Sequence, residues 1–186
     1  ELNTAVKPYM FAWLRARHPQ AGLIYLDPDI LVLRRLDKVQ QAFESGTLAV
    51  LTPHLNAPIN DDRFPDELTV MRSGVYNCGF VAVNAAHPGA DALINWWSGK
   101  LEFGCYVDIA GGLFTDQKWV DLVPGMFPDI EVLRDDGYNL AYWNLAQRPV
   151  VEAPGEDFTA GGVPLVFVHF SGVVLSDPKR FSKHQN

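Results

Sequence analysis

The stretch "LIYLDPDILVL", residues 23–33, constrains this chain more than any other, because it sets two aspartates, Asp27 and Asp29, between two apolar runs. A buried carboxylate is costly unless it is paired or bound to a metal. The run from Leu23 to Leu26 reads as a strand covered on both faces, of the kind found in α/β sheets. Pro28 stiffens the step between the two acids and cannot continue a sheet ladder. The stretch therefore predicts two carboxylates delivered at a strand end, where open α/β sheets keep their ligands.

The bulk numbers narrow the classes of protein. With 186 residues, 48% of them hydrophobic and 20% charged, the chain is long enough for one domain with a real core, and its expected organisation is one domain over residues 1–186. A formal charge of −7 argues against a nucleic-acid partner, which would require a basic face, and against electrostatic docking on anionic lipid. The two cysteines, Cys78 and Cys105, lack zinc-ligand spacing and are expected as free thiols of a reducing compartment, although a single disulfide is the alternative. No run approaches the roughly 20 apolar residues of a membrane-spanning helix. The expected location is cytoplasmic, with the inner face of a membrane as a second setting.

Short strands and helices alternate along the chain. Thr4 is expected to cap a helix whose apolar face carries Val6, Met10, Phe11 and Leu14, with Pro8 near its first turn. Strands are predicted near residues 22–26, 30–33, 48–51, 80–83, 130–133 and 165–168. Helices are predicted at 39–43, closed by Gly46, at 90–101 with Leu93, Ile94, Trp97 and Leu101 inward, at 116–122, and at 177–184. Residues 53–65, with Pro53, Pro58, Pro65, Asn56, Asn60, Asp61 and Asp62, carry the chemistry of a long functional loop. The alternation implies a mixed or parallel sheet flanked by helices.

Several residues could carry chemistry, each with a plainer reading beside it. Asp27 and Asp29 supply hard oxygen ligands suited to Mg²⁺ or Mn²⁺, but Asp-Pro-Asp is also good turn material. His169 in "VFVHFSG" ends the last strand ahead of the small residues Ser171 and Gly172; it could be a third ligand or a satisfied core histidine. Asn77 and Gly79 in "VYNCGFVAV" suit a substrate contact or a turn. Asp116 and Gln117 in "LFTDQKWVDLV" open a short helix, where an acid also suits the dipole. "GYNLAYWN" brings Tyr138, Asn139, Trp143 and Asn144 together, a mixture found in carbohydrate pockets and in ordinary loops.

Taken in order, strand–D-x-D, N-x-G-F, D-Q, W-N and H-F-S-G resemble a nucleotide-sugar glycosyltransferase of the GT-A fold, particularly of family 8, over about Lys7 to Gly172. The resemblance implies that Asp27, Asp29 and His169 hold Mn²⁺ or Mg²⁺, and that Asp116 and Gln117 lie at the reacting sugar. It implies that Lys7, Asp27, Asp29, Asn77, Gly79 and Gly172 contact the donor, and that Trp143 and Asn144 line the acceptor side. The partners implied are a nucleotide-sugar donor, with UDP favoured, and a glycan, lipid or protein acceptor; the configuration implied at the anomeric carbon is retention. Two departures stand out. The lysine expected soon after the H-F-S-G motif is delayed to Lys179, Arg180 or Lys183, and the βαβ part that precedes the D-x-D strand in such folds has no counterpart, so further domains of the same polypeptide are expected. The alternative is a catalytically inactive binding module of the same fold.

Overall fold

The computed structural model describes residues 2–60, 64–155, 157–177 and 179–184. In chain order the elements are α1 (Leu2–Ala5), α2 (Lys7–Arg17), β1 (Gly22–Leu26), β2 (Ile30–Val32), α3 (Asp37–Glu44), β3 (Ala49–Pro53), α4 (Glu67–Ser73), β4 (Tyr76–Asn84) and α5 (Ala90–Gly104). They continue with β5 (Val107–Asp108), β6 (Leu113–Phe114), α6 (Gln117–Val120), α7 (Val123–Met126), β7 (Ile130–Val132), β8 (Val150–Ala153), β9 (Asp157–Ala160), β10 (Val163–Pro164) and β11 (Phe167–His169).

The central sheet has the order β1-β4-β3-β7, with β4 antiparallel to both neighbours and β3 parallel to β7. Side chains alternate across it with the period of two that a pleated strand imposes. On one face Ala49, Leu51, Val81 and Val83 pack with Phe11 of α2 and with Leu93, Ile94, Trp97 and Leu101 of α5. On the other, Val50, Phe80 and Ala82 pack with Val39 of α3, Tyr138 and Phe167 of β11. The result is a mixed sheet between two layers, the mixed α/β architecture the sequence predicts. Each aliphatic or Phe side chain fully buried here contributes about 1.5–3 kcal/mol.

A second, two-stranded ribbon positions the site. Asp27, Pro28, Asp29 and Ile30 form a turn closed by the Ile30 N–H donating to the Asp27 carbonyl at 3.0 Å, with Pro28 at the position that its fixed φ favours. The turn takes the chain out of the central sheet and into β2, which pairs antiparallel with β11 in the register His169↔Ile30. The three-stranded sheet β10-β9-β8 packs Ala160 against Val168 of the ribbon, together with Leu140 and Leu165, and leaves Val151 and Phe158 exposed.

Several expectations are corrected. β1 is not covered on both faces: it is the edge of the central sheet among the described residues, with Ile24 exposed, and the doubly buried strands are β3 and β4. Thr4 does not cap the long helix; it lies inside α1, and Val6 occupies the cap position of α2. That helix buries Lys7, Pro8 and Phe11, while Val6 and Met10 face outward, so a lysine lies on its inward face. The described residues of 177–184 form turns, not a helix. The sheet β8–β10 and helix α4 were not legible as elements. Asp61 and Asp62 lie outside the described residues. Neither cysteine is in a disulfide.

Candidate active site

Three chain segments meet at one edge of the central sheet: the end of β1, the end of β3 and the antiparallel start of β4. Opposite Phe80, β1 ends at Leu26, and the next residue, Asp27, donates its N–H to the Gly79 carbonyl at 2.8 Å. The ribbon does the rest. Because His169 pairs with Ile30 and the Phe170 N–H donates to the Asp29 carbonyl at 2.9 Å, the His169 ring is fixed beside the aspartate turn. His169 Nε2 lies 3.2 Å from Asp29 Oδ1 and 3.9 Å from Asp27 Oδ2, and one ligand atom from each of the three residues lies within 4.8 Å of the others. Residues 140 positions apart in sequence are thereby joined by one strand pairing.

The histidine is nearly wholly buried, whereas the carboxylates of Asp27 and Asp29 remain 27% and 34% exposed. Burial pulls the His169 pKa down, against the pull of Asp29 and Asp27, so the ring is neutral at pH 7. On its far side, His169 Nδ1 lies 3.0 Å from Asn77 Oδ1, which also accepts from the Gly79 N–H at 3.2 Å. The Asn77 Nδ2 faces His54 Nε2 and Gln117 Oε1, each at 3.4 Å. His54 Nδ1 in turn donates to the Val75 carbonyl at 3.2 Å. Burial depresses the His54 pKa to about 4. Gly79 is required for this packing, since a Cβ there would fall 2.3 Å from the His169 ring.

Beside this group lies a buried ion pair. Lys7 Nζ contacts Asp116 Oδ2 at 2.9 Å, donates to the Cys78 carbonyl at 2.8 Å and reaches Asp27 Oδ1 at 3.7 Å, 4.5 Å above the Tyr25 ring. Lys7 and Asp116 are each only 2% exposed. Burial opposes the charge on Lys7, but Asp116, Cys78 and Asp27 overcome it and raise its pKa. Burial raises the Asp116 pKa, with Lys7 opposing. The Tyr25 hydroxyl donates to Asp27 Oδ1 at 2.6 Å. Lys7 thus ties the turn carboxylates to the start of α6.

Lys7, Asp27, Asp29, Asn77, Gly79, Asp116, Gln117, Trp143 and His169 all line one cavity of about 590 Å³. This is a volume in the range of small-molecule sites. Gln117 lines it with its amide engaged at both ends: Nε2 donates to the Ser73 carbonyl at 2.9 Å, and Oε1 accepts from the Cys78 N–H at 3.2 Å. Trp143 stands edge-on to His169 and His54, with ring centroids 5.3 and 5.0 Å apart. Asn144 and Gly172 are not in the cavity wall. Asn144 is wholly buried and donates to the carbonyls of His54 and Asn139 while accepting from the Ala141 N–H, so it staples two loops together. Gly172, at φ +72°, sits where a Cβ would meet the side chains of Ser182 and His184 of the C-terminal segment. Arg180 folds back onto the carbonyls of Ser182 and Lys183. His54 and Tyr25 escaped the sequence reading; the histidine just after a buried strand, in "LTPHLN", was the available signal for the first.

Comparison with known proteins adds the fold. The crystal structure of a glycosyltransferase involved in the glycosylation of the major capsid of PBCV-1 superposes with a TM-score of 0.53, at 11% identity, over 89% of this chain and 69% of that one. The chain shares its fold, a mixed sheet flanked by helices, with that structure. In sequence it is 32% identical over 134 residues to the uncharacterized protein YfnD of Bacillus subtilis (strain 168), covering 71% of this chain and 40% of that protein. It is also 32% identical over 99 residues to YfnF of the same organism, covering 53% of this chain and 32% of that protein. The chain therefore spans between a third and two fifths of the length of these curated relatives. No protein-family model matches it. Among the described residues, no helix is long and apolar enough to cross a membrane.

The donor set suits a divalent cation. Two carboxylates and a neutral imidazole are hard-to-borderline ligands of the kind that Mg²⁺ and Mn²⁺ accept. The charges agree. Asp27, Asp29 and Asp116 against Lys7 leave a formal excess of two negative charges at the site. The partly exposed carboxylates of Asp27 and Asp29 line the cavity, while the buried one of Asp116 is paired with Lys7.

Proposed function

We propose that this chain carries the donor site of a metal-dependent glycosyltransferase, similar to family 8 of the GT-A fold, that moves a sugar from a nucleoside-diphosphate donor, UDP-sugar by preference, to a glycan, lipid or protein acceptor with retention. The observation that carries this reading is the convergence of Asp27, Asp29 and His169 on one edge of a glycosyltransferase fold, facing a cavity that also holds Asp116 and Gln117. In this reading Asp27, Asp29 and His169 hold Mn²⁺ or Mg²⁺. A cation bound there stabilises the negative charge that develops on a departing diphosphate, without a proton donor.

The chain's own residues do the remaining work. Tyr25 and Lys7 orient Asp27. Lys7 also holds Asp116 against the cavity wall, where Asp116 and Gln117 face the donor sugar. Asn77 and Gly79 fix His169 from behind, and the Trp143 ring supplies an apolar face on the acceptor side. A walled cavity of this kind also limits the access of water to an activated donor.

The test is turnover. Phosphorus NMR of this chain with Mn²⁺ and a panel of UDP-sugars, with and without simple glycoside acceptors, is expected to show release of UDP that stops in EDTA. Metal-dependent binding with no release from any donor would favour the inactive binding module, and release undiminished by EDTA would contradict the metal assignment.

A further inference from the structure

Resting on the metal reading above, we infer that His54, through Asn77, is a positioning residue for the metal ligand His169. Hydrogen-bond polarity fixes the orientation of the Asn77 amide. The backbone N–H of Gly79 can only donate, so the Asn77 atom it meets at 3.2 Å is the carbonyl oxygen, and the amide nitrogen must face the other way. On that other side stand two acceptors, Gln117 Oε1 and His54 Nε2. The Gln117 oxygen is itself identified by the Cys78 N–H that donates to it, and by the Gln117 Nε2 that donates to the Ser73 carbonyl. His54 Nε2 is an acceptor because its Nδ1 donates to the Val75 carbonyl.

Asn77 therefore cannot turn over, and its oxygen, which already accepts from the Gly79 N–H, must also act as the acceptor toward His169 Nδ1, at 3.0 Å. A proton fixed on Nδ1 of the neutral ring leaves Nε2, the nitrogen beside Asp29 and Asp27, with its lone pair free for a cation. Partners of this kind commonly alter metal affinity by about 10- to 100-fold when removed. His54 also lines the cavity and packs edge-on against Trp143, but its link to the His169 ring nitrogen runs through Asn77.

The experiment compares the unaltered chain with His54→Gln, which can still accept from Asn77, and His54→Leu, which cannot. Mn²⁺ affinity is read from the electron paramagnetic resonance of the free ion, and the protonated nitrogen of His169 from ¹⁵N NMR of histidine-labelled protein. His54→Leu is expected to weaken Mn²⁺ binding about 10-fold and to let the His169 tautomers mix, whereas His54→Gln stays within about 3-fold. Equal affinity in all three overturns the relay and leaves the metal reading standing. No Mn²⁺ binding by the unaltered chain overturns the metal reading itself. Should His54→Leu not fold, the spectrum of the unaltered chain decides: a bare Nδ1 on His169 overturns the inference, and a protonated one supports it.

Discussion

Two acidic regions meet in the same cavity and are built in opposite ways. The turn at Asp27–Asp29 leaves its carboxylates partly exposed at the cavity wall and backs them with a buried histidine. Asp116, a few ångströms from the same lysine, is nearly sealed and its charge is met by Lys7. One region faces the cavity where the proposed cation would bind, and the other is charge-paired within the chain. In the proposed reading the same residue type serves as ligand in one region and as internal electrostatic anchor in the other, and exposure separates the two roles.

The sharpest way to break the comparison is to remove the internal cation. Lys7→Met leaves Asp116 buried without its partner and is expected to cost about 3–5 kcal/mol in urea unfolding at pH 7. Adding Asp116→Asn should recover a large part of that loss. A cost below about 1 kcal/mol would show that Asp116 does not depend on Lys7.

Acid should act next, from the other side of the site. His54 is neutral in the fold with a pKa near 4, against an unfolded value near 6.5. Below pH 6.5 the unfolded chain takes up a proton that the folded one refuses, so stability is full above that value and falls as pH drops toward 4. The expected loss is about 3 kcal/mol. His54→Gln should remove this part of the slope, and an unchanged slope would place its origin elsewhere.

In the open region the effect should appear in ligand binding and not in folding. Asp29→Ala is expected to weaken Mn²⁺ binding about 100-fold, close to 2.7 kcal/mol, while changing unfolding free energy by less than about 1 kcal/mol. A large stability loss with unchanged Mn²⁺ binding would reverse the roles assigned to the two regions. The smallest effect expected is that of Tyr25→Phe, which removes one hydrogen bond from Asp27 and should cost about 1 kcal/mol in Mn²⁺ binding.

The sequence was most readable where local chemistry decides the outcome. Helix α5 buries Leu93, Ile94, Trp97 and Leu101 as their spacing predicts, and the Asp-Pro-Asp turn is visible in its own residues. What could not be read was set by tertiary pairing. Nothing local indicates that β1 is an edge, that His169 pairs beside Asp29 through the β2–β11 ribbon, or that Lys7 is an inward residue of α2. Asn144 and Gly172 look like ligand contacts by residue type. Their partners are the backbones of His54 and Asn139 and the C-terminal residues near Ser182, and only the folded chain brings those near. His54 looks like a loop residue until Asn77 is seen beside it.

The central claim is that Asp27, Asp29 and His169 make a cation-dependent site for a nucleoside diphosphate. Calorimetric titration of UDP into this chain tests it most directly, run with Mn²⁺, with EDTA, and with Asp29→Ala in place of the unaltered protein. The account predicts binding with Mn²⁺ that disappears in EDTA and in the variant. Binding of equal strength in all three would contradict it.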